Sequence, residues 1–592
     1  MAAKKTSRLR SREWFDIPGD PSTTALHIER YTNFGISSEE LRSGKPIIGI
    51  AQTGSDLVPC NRIHMNLALR VREGIREAGG IALEFPVHPI QESGKRPTAA
   101  LDRNLQYLGL VEVLFGYPID GVVLTIGCDK TTPALLMAAS TVDIPSICLS
   151  SGPMMNGYWK GERAGSGTIV WKARKLLATG EIDEEEFIKI VVDATTSPGF
   201  CNTMGTATTM NSLAEGLGMS LPGCAAIPAP LSERIEMSYR TGLRIVEMVK
   251  KDLTPSKILT RKAFENSIVL NSAIGGSTNA PIHINAIARH VGVELEIEDW
   301  EKVGLEIPML VNMQPGGKYL GEDFHRAGGV PAVMNALLKA GKLHDSAITV
   351  NGKTVAENYA ETTTQDTDVI RTFQNPMLEN AGFIVLKGNI FDSAVMKTSV
   401  ISDSFRSQYL DKPGSRNIFE VRAIVFEGPE DYRKRINDPQ LNINVDCILV
   451  IRGCGPVGYP GSAEVVNMQP PDKLIREGIL ELPTLGDGRQ SGTSGSPSIL
   501  NISPESAVGG GLALLKTGDM LRIDLNQGSL DVMLDKSELQ KRHDELKTEE
   551  IENQTPWQEI YRNTVGQLSS GGIIELAAKY RKIRNTIPRH SH

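Results

Sequence analysis

Three cysteines stand in surroundings that suit chemistry better than packing. Cys60 lies in TGSDLVPCN, Cys128 in TIGCDK and Cys201 in SPGFCNTMG, each among Asn, Asp, Gly or Thr rather than aliphatic residues. The first two follow apolar β-type runs, PIIGIA (46–51) and GVVLTI (121–126). In an open parallel sheet, ligands bind beyond the carboxyl ends of the strands, so residues distant in sequence can meet there. Cys201 precedes an apolar helical pattern, and a helix N-terminus favours a thiolate. Three convergent thiolates suit an iron–sulfur cluster one short of the usual four protein ligands, with one iron open to a substrate oxygen. The competing reading is a small buried hydrophobe. It is the reading adopted for Cys148, Cys224 and Cys447. The cysteines number seven, and no C-x-x-C occurs. That argues against a disulfide framework, zinc ribbons and thioredoxin-type motifs, and for a reducing, cytoplasmic setting.

Hard ligands lie beside the soft ones. Asp129 directly follows Cys128, and with Glu92 and Glu464 it could hold Mg²⁺, which prefers oxygen; a lone loop carboxylate is more often simply solvated. The segment LPTLGDGRQSGTSGSPSILN (482–501) is either a flexible surface loop or a backbone-lined pocket in which Ser491 and Thr493 face a substrate. A serine needs a metal or a neighbouring cation to act as a base. Residues 453–458 match G-x-G-x-x-G after a strand, but Pro460 and Gly461 break the helix that a dinucleotide site requires. His64, His283 and His325 show no metal-ligand spacing and read as core or supporting residues.

The elements that must position these groups follow from the apolar patterning. Runs at 46–51, 81–88, 121–126 and 144–149 alternate with helical patterns such as 64–78, which predicts a buried parallel sheet. After about residue 370 the texture becomes β-rich, with strands at 383–387, 419–426 and 447–452 that lack obvious crossover helices, and a hairpin at 521–525 and 530–534. Residues 536–553 read as a solvated helix or linker, and Thr555-Pro556 as a helix start. The expectation is an α/β chain. Its α/β/α domain over 1–375 has a parallel sheet and carries the iron–sulfur and Mg ligands; a barrel-like domain over 376–592 supplies the Ser loop. The chain has 592 residues and 40% hydrophobic residues, enough for sizeable cores. A net charge of −7 argues against nucleic acid as a partner, and no apolar run is long enough for a membrane span. Lys4, Lys5, Arg8, Arg10 and Arg12 suggest a flexible basic arm or a subunit contact, and 588–592 a mobile tail.

The motifs PCNRIH (59–64), GCDKTTPA (127–134), CNTMGTATTMN (201–211), GGSTNA (275–280), PGSAEV (460–465) and GDGRQSGT (486–493) resemble, in order, those of the dihydroxy-acid and phosphogluconate dehydratase family, and most closely its sugar-acid (aldonate) branch. The resemblance implies a hydro-lyase that converts an aldonate, D-xylonate first, to its 2-keto-3-deoxy acid. It implies that Cys60, Cys128 and Cys201 ligate a [2Fe–2S] cluster. Glu92, Asp129 and Glu464 would bind Mg²⁺ with a carbamylated Lys130; Ser491 would be the base, with Thr493 assisting. A homodimer or homotetramer is implied. The branched-chain amino-acid branch typically has an aromatic residue where Gln490 stands, which argues against dihydroxy-isovalerate as substrate. The alternatives are that branched-chain dehydratase, a non-enzymatic iron–sulfur sensor or scaffold, and an NAD-linked enzyme using 453–458.

Overall fold

The computed structural model describes residues 9–547 and 551–590. Strands β1 (Ile47–Gln52), β2 (Ile81–Pro86), β3 (Gly121–Ile126) and β4 (Ser146–Ser150) form a parallel sheet in the order β2-β1-β3-β4. Helices α1 (His64–Glu77), α2 (Ala99–Gly116) and α3 (Thr131–Val142) make the crossovers. β3, β4 and α3 are buried along their whole length, which explains their continuous apolar runs. Further helices surround the sheet: α4 (Thr168–Thr179), α5 (Thr206–Gly216), α6 (Ser232–Lys250) and α7 (Ala280–Val291). α1 and α6 meet at two glycines. A Cβ on Gly74 would lie 2.2 Å from Tyr239 O, and one on Gly242 2.2 Å from Val71 O. Only glycine permits that backbone approach, which fixes α1 and the Cys60 loop ahead of it.

The second sheet is a closed barrel, as expected. Its strands are β5 (Phe383–Gly388), β6 (Phe391–Lys397), β7 (Ile418–Glu427), β8 (Cys447–Arg452), β9 (Thr484–Gly486), β10 (Ser498–Ser503), β11 (Met520–Asp524) and β12 (Ser529–Val532). Their order is β8-β9-β10-β6-β5-β12-β11-β7. Side chains alternate between two apolar layers: Ala423, Val425, Ile448 and Val450 enter one, Ile424, Phe426, Cys447, Leu449 and Ile451 the other. Cys447 is therefore a packing residue.

Two expectations need correction. Pairs β7–β8, β8–β9 and β9–β10 are parallel; the first two are joined across short helices α8 (Gly428–Arg435) and α9 (Asp472–Arg476), where no crossover is legible, and the third by the loop that carries Ser491. Arg10 is anchored rather than flexible: it donates to the carbonyls of Leu114, Phe115 and Tyr117, and Arg12 donates to Arg42 O at 2.7 Å. The exposed His590 ring lies 6.4 Å from that of His27. Lys4, Lys5, Arg8, Ser591 and His592 lie outside the described residues. The charged segment contains helix α10 (Lys536–Glu545). Helix α11 (Pro556–Arg562) starts as expected, with Thr555 Oγ1 accepting from Gln558 N at 3.2 Å.

At the end of β6, Lys397 is wholly buried and donates to Gly275 O at 2.8 Å. Burial pulls its ammonium down to about 7. The unfolded chain then binds more protons than the folded one between about pH 7 and 10, so this group's contribution to stability rises with pH across that window, by about 1.4 kcal/mol per unit at most. Lys397→Met is expected to raise the melting temperature relative to the parent more at pH 7 than at pH 9.5. Equal differences at both values would rule this out.

Candidate active site

All four strand ends of the N-terminal sheet open toward one place. The turn after β3 is tight: a Cβ on Gly127 would come within 2.3 Å of both Asn61 Oδ1 and Ser151 Oγ. That closeness lets Cys128 N donate to Asn61 Oδ1 at 2.6 Å, while Asn61 Nδ2 donates to Thr53 Oγ1 at 2.9 Å. The loops after β1 and β3 are thus sewn together, and their sulfurs meet. Cys60 and Cys128 are in hydrogen-bond contact, which lowers the Cys60 thiol and raises that of Cys128. Gln91 Nε2 donates to Cys60 Sγ at 3.2 Å. Cys201 joins them from the segment before α5, accepting from Ser166 Oγ at 3.4 Å. Burial, then the neighbouring Cys60, pushes its thiol up to about 12. Three adjacent sulfurs from three segments fit an iron–sulfur cluster, whose binding would displace those protons.

Next to the sulfurs lies a nest of acids. Glu92, Asp129 and Glu464 each offer an oxygen within 4.8 Å of the others, a donor set that fits a hard divalent cation. Lys130, 0% exposed, reaches into it, with Nζ 2.9 Å from Asp129, 3.1 Å from Glu92 and 4.0 Å from Glu464. Burial and the Arg489 guanidinium oppose its charge, but the three carboxylates prevail and hold it as an ammonium above the usual lysine range. Burial and the nearby Glu92 push the Glu464 carboxyl up to about 7.

Glu464 and Arg489 come from the barrel half. Gly461, at φ 93°, packs so closely on α2 that a Cβ would lie 2.2 Å from both Leu101 N and Thr98 Oγ1, and Thr98 Oγ1 donates to Pro460 O at 2.8 Å. Ser462, in the left-handed region at φ 66°, turns its carbonyl onto Arg489 Nε at 2.9 Å. Arg489 then bridges Glu464 at 2.8 Å and Glu92 at 3.2 Å. Asn279, from the GGSTNA segment, donates to Glu464 Oε1 at 2.8 Å and Gln490 O at 3.2 Å. The Ser loop follows at once. Ser491 Oγ lies 2.9 Å from Thr493 Oγ1, and Ser491 N reaches Asn467 Oδ1 at 3.3 Å. A cavity of about 370 Å³ opens beside Thr493, lined among others by Trp171, Lys172, Gln314 and Lys318.

The structure therefore brings the sequence-derived cysteines, acids, Lys130 and the Ser491 loop into one region. Sequence reasoning missed Arg489, Asn279 and Gln91. The first two stand inside quoted motifs, but nothing in a Gly- and Ser-rich context signals that an arginine is buried. The 453–458 loop holds no nucleotide: Gly453 and Cys454 N–H groups bind Asp487, those of Val457 and Gly458 bind Glu505, and a Cβ on Gly455 would strike Glu505 at 2.4 Å. An internal pair of carboxylates occupies the backbone donors that a diphosphate would need. His64 holds Ile126 O at 2.8 Å, His283 pairs with Arg103 at 3.0 Å and His325 with Glu233 at 3.1 Å, all in supporting roles.

Comparison with known proteins agrees with this architecture. The pattern "Dihydroxy-acid/6-phosphogluconate dehydratase N-terminal" matches residues 45–358, and its C-terminal counterpart matches 368–572. The chain belongs to this dehydratase family and is a hydro-lyase. It is 60% identical over 592 residues to a D-xylonate dehydratase of Caulobacter vibrioides, covering 100% of this chain and 99% of that protein. It is 45% identical to an L-arabinonate dehydratase of Rhizobium leguminosarum bv. trifolii, over 90% of each chain. A dihydroxy-acid dehydratase of Caldanaerobacter subterraneus is 36% identical, over 91% of this chain and 95% of that one. Among the described residues, no helix is long and apolar enough to cross a membrane.

Proposed function

We propose that the protein dehydrates an aldonate, D-xylonate first, to its 2-keto-3-deoxy acid. The observation that carries the reading is the adjacency of a soft sulfur set and a hard oxygen set at Cys128 and Asp129, with the Ser491–Thr493 pair brought to the same region by Arg489 and Asn279. The full-length similarity to a D-xylonate dehydratase supports the choice of substrate.

In this reading Cys60, Cys128 and Cys201 would hold a [2Fe–2S] cluster, and Glu92, Asp129, Glu464 and Lys130 would hold Mg²⁺, Lys130 as a carbamate once the cation replaces its ammonium as partner of the three carboxylates. When bound, the two groups supply positive charge beside the substrate carboxylate and Lewis acidity for the departing C3 hydroxyl. Ser491 Oγ takes the C2 proton, which is weakly acidic beside the carboxylate. The C2–H electrons form the C2=C3 bond as the C3–O bond breaks, and the enol released becomes the 2-keto acid with no net redox change. Thr493 fixes Ser491, and Arg489 balances the acids around it. Residues 1–375 would carry most of the ligands and 376–592 the serine loop, in a homodimer or homotetramer.

The test is an anaerobic assay of purified protein against a panel of pentonates, hexonates and 2,3-dihydroxy-isovalerate, with detection of 2-keto-3-deoxy products. Turnover is expected with D-xylonate and to be far weaker with the branched-chain acid. A preference for the branched-chain acid, or no turnover of any aldonate, would overturn the reading.

A further inference from the structure

Trp171 stands on the second turn of α4, half-buried, with the Arg174 guanidinium 4.8 Å from its ring centre. Its indole Nε1 lies 3.0 Å from Thr493 Oγ1. An indole N–H can only donate, so Thr493 Oγ1 accepts on that side and its own hydroxyl hydrogen points elsewhere. Ser491 Oγ, 2.9 Å away, is placed to receive it; the Thr493 backbone N–H donates to Ser491 Oγ, at 3.4 Å. Thr493 cannot swing out of this arrangement. Gly167, the residue capping α4 at φ 82°, presses against it so closely that a Cβ there would lie 2.6–2.9 Å from three Thr493 atoms. On the other side, a Cβ on Gly205, the cap of α5, would lie 3.0 Å from Thr493 Cγ2.

We propose that Trp171 is a positioning residue for proton abstraction: through Thr493 it orients a hydrogen-bond chain that delivers two donors to Ser491 Oγ. The inference rests on Ser491 being the base. Without the indole N–H, the Thr493 hydroxyl is free to turn its hydrogen elsewhere, and the chain loses its direction. With it, the alkoxide that Ser491 must present as base is met by donors already aimed at it, and those donors hold its lone pair in place for the C2 proton.

The experiment uses the assembled, cofactor-loaded enzyme with D-xylonate and its C2-deuterated form. Trp171→Phe keeps an aromatic ring and deletes the donor. Its kcat is expected to fall about five- to tenfold, the loss typical of one hydrogen bond, with KM nearly unchanged and a larger primary isotope effect. In a Thr493→Val background the same change should cost nothing further, whereas in Thr493→Ser it should cost as much as in the parent. A second readout is independent of activity. The chain has five tryptophans, so indole-¹⁵N labelling gives a simple spectrum, with Trp171 assigned by its loss in Trp171→Phe. Its indole N–H resonance should move in Thr493→Val and stay in Thr493→Ser. An equal kcat loss in parent and Thr493→Val, an effect on KM alone, or an unmoved resonance would overturn the proposal; if Trp171→Phe misfolds, partial labelling with residue-selective quenching of the parent identifies the resonance and it decides alone. Full activity of Ser491→Ala would instead sink the reading of Ser491 as base.

Discussion

Ser491→Ala is expected to lower kcat for D-xylonate dehydration by roughly 10²–10⁴-fold, the range a positioned general base contributes, and to leave the visible absorbance of the anaerobically purified protein unchanged. Among the described residues, the hydrogen bonds of its Oγ are both with Thr493, so its loss disturbs one hydroxyl pair and one backbone N–H in the same loop. The loop is held by other contacts: Gly492 packs against Thr206 N, Thr206 Oγ1 and Ser277 Oγ, and Gln490 Nε2 donates to Ser496 O at 3.0 Å. Fold and ligand sets should therefore persist. Steady-state kinetics beside an absorbance spectrum check this. A variant that kept most of its activity would remove Ser491 from the role of base.

Cys128→Ser is expected to lose the colour and the turnover together. A serine hydroxyl is a harder ligand than a thiolate and is reluctant to ionise at neutral pH. Cys128 is also buried, touches Cys60 and adjoins Asp129, so both ligand sets feel the change. Cys148→Ser is the informative control. Cys148 is equally buried, but in an apolar cluster with Ile147, Leu149 and Cys224, so serine there should lower the melting temperature and keep the spectrum. An unchanged spectrum in Cys128→Ser would strike Cys128 from the ligands.

Much of the N-terminal half was legible because β1, β3 and β4 are buried on both faces and therefore read as nearly unbroken apolar runs. The barrel was legible as β-rich but not in its pairing. Helices α8 and α9 are short and carry few apolar residues, so nothing in their periodicity announces a parallel crossover. In the site, cysteines and acids declared themselves by the polar company they keep at strand ends. Arg489 and Trp171 did not. Arg489 is 1% exposed, yet arginine in a Gly- and Ser-rich stretch reads as surface. Trp171 meets Thr493 across 322 residues, and only the packed chain reveals the contact.

The seam between the two halves has an evolutionary consequence. Glu464 and Arg489 from one half meet Glu92, Asp129 and Lys130 from the other, and the turn at Gly461 admits no larger residue against α2. A hybrid spliced from two relatives near residues 359–367 inherits a working centre only if both parents share this seam. Change is tolerated instead in the cavity wall away from the join, around Lys172, Gln314 and Lys318, where side chains can vary without touching it.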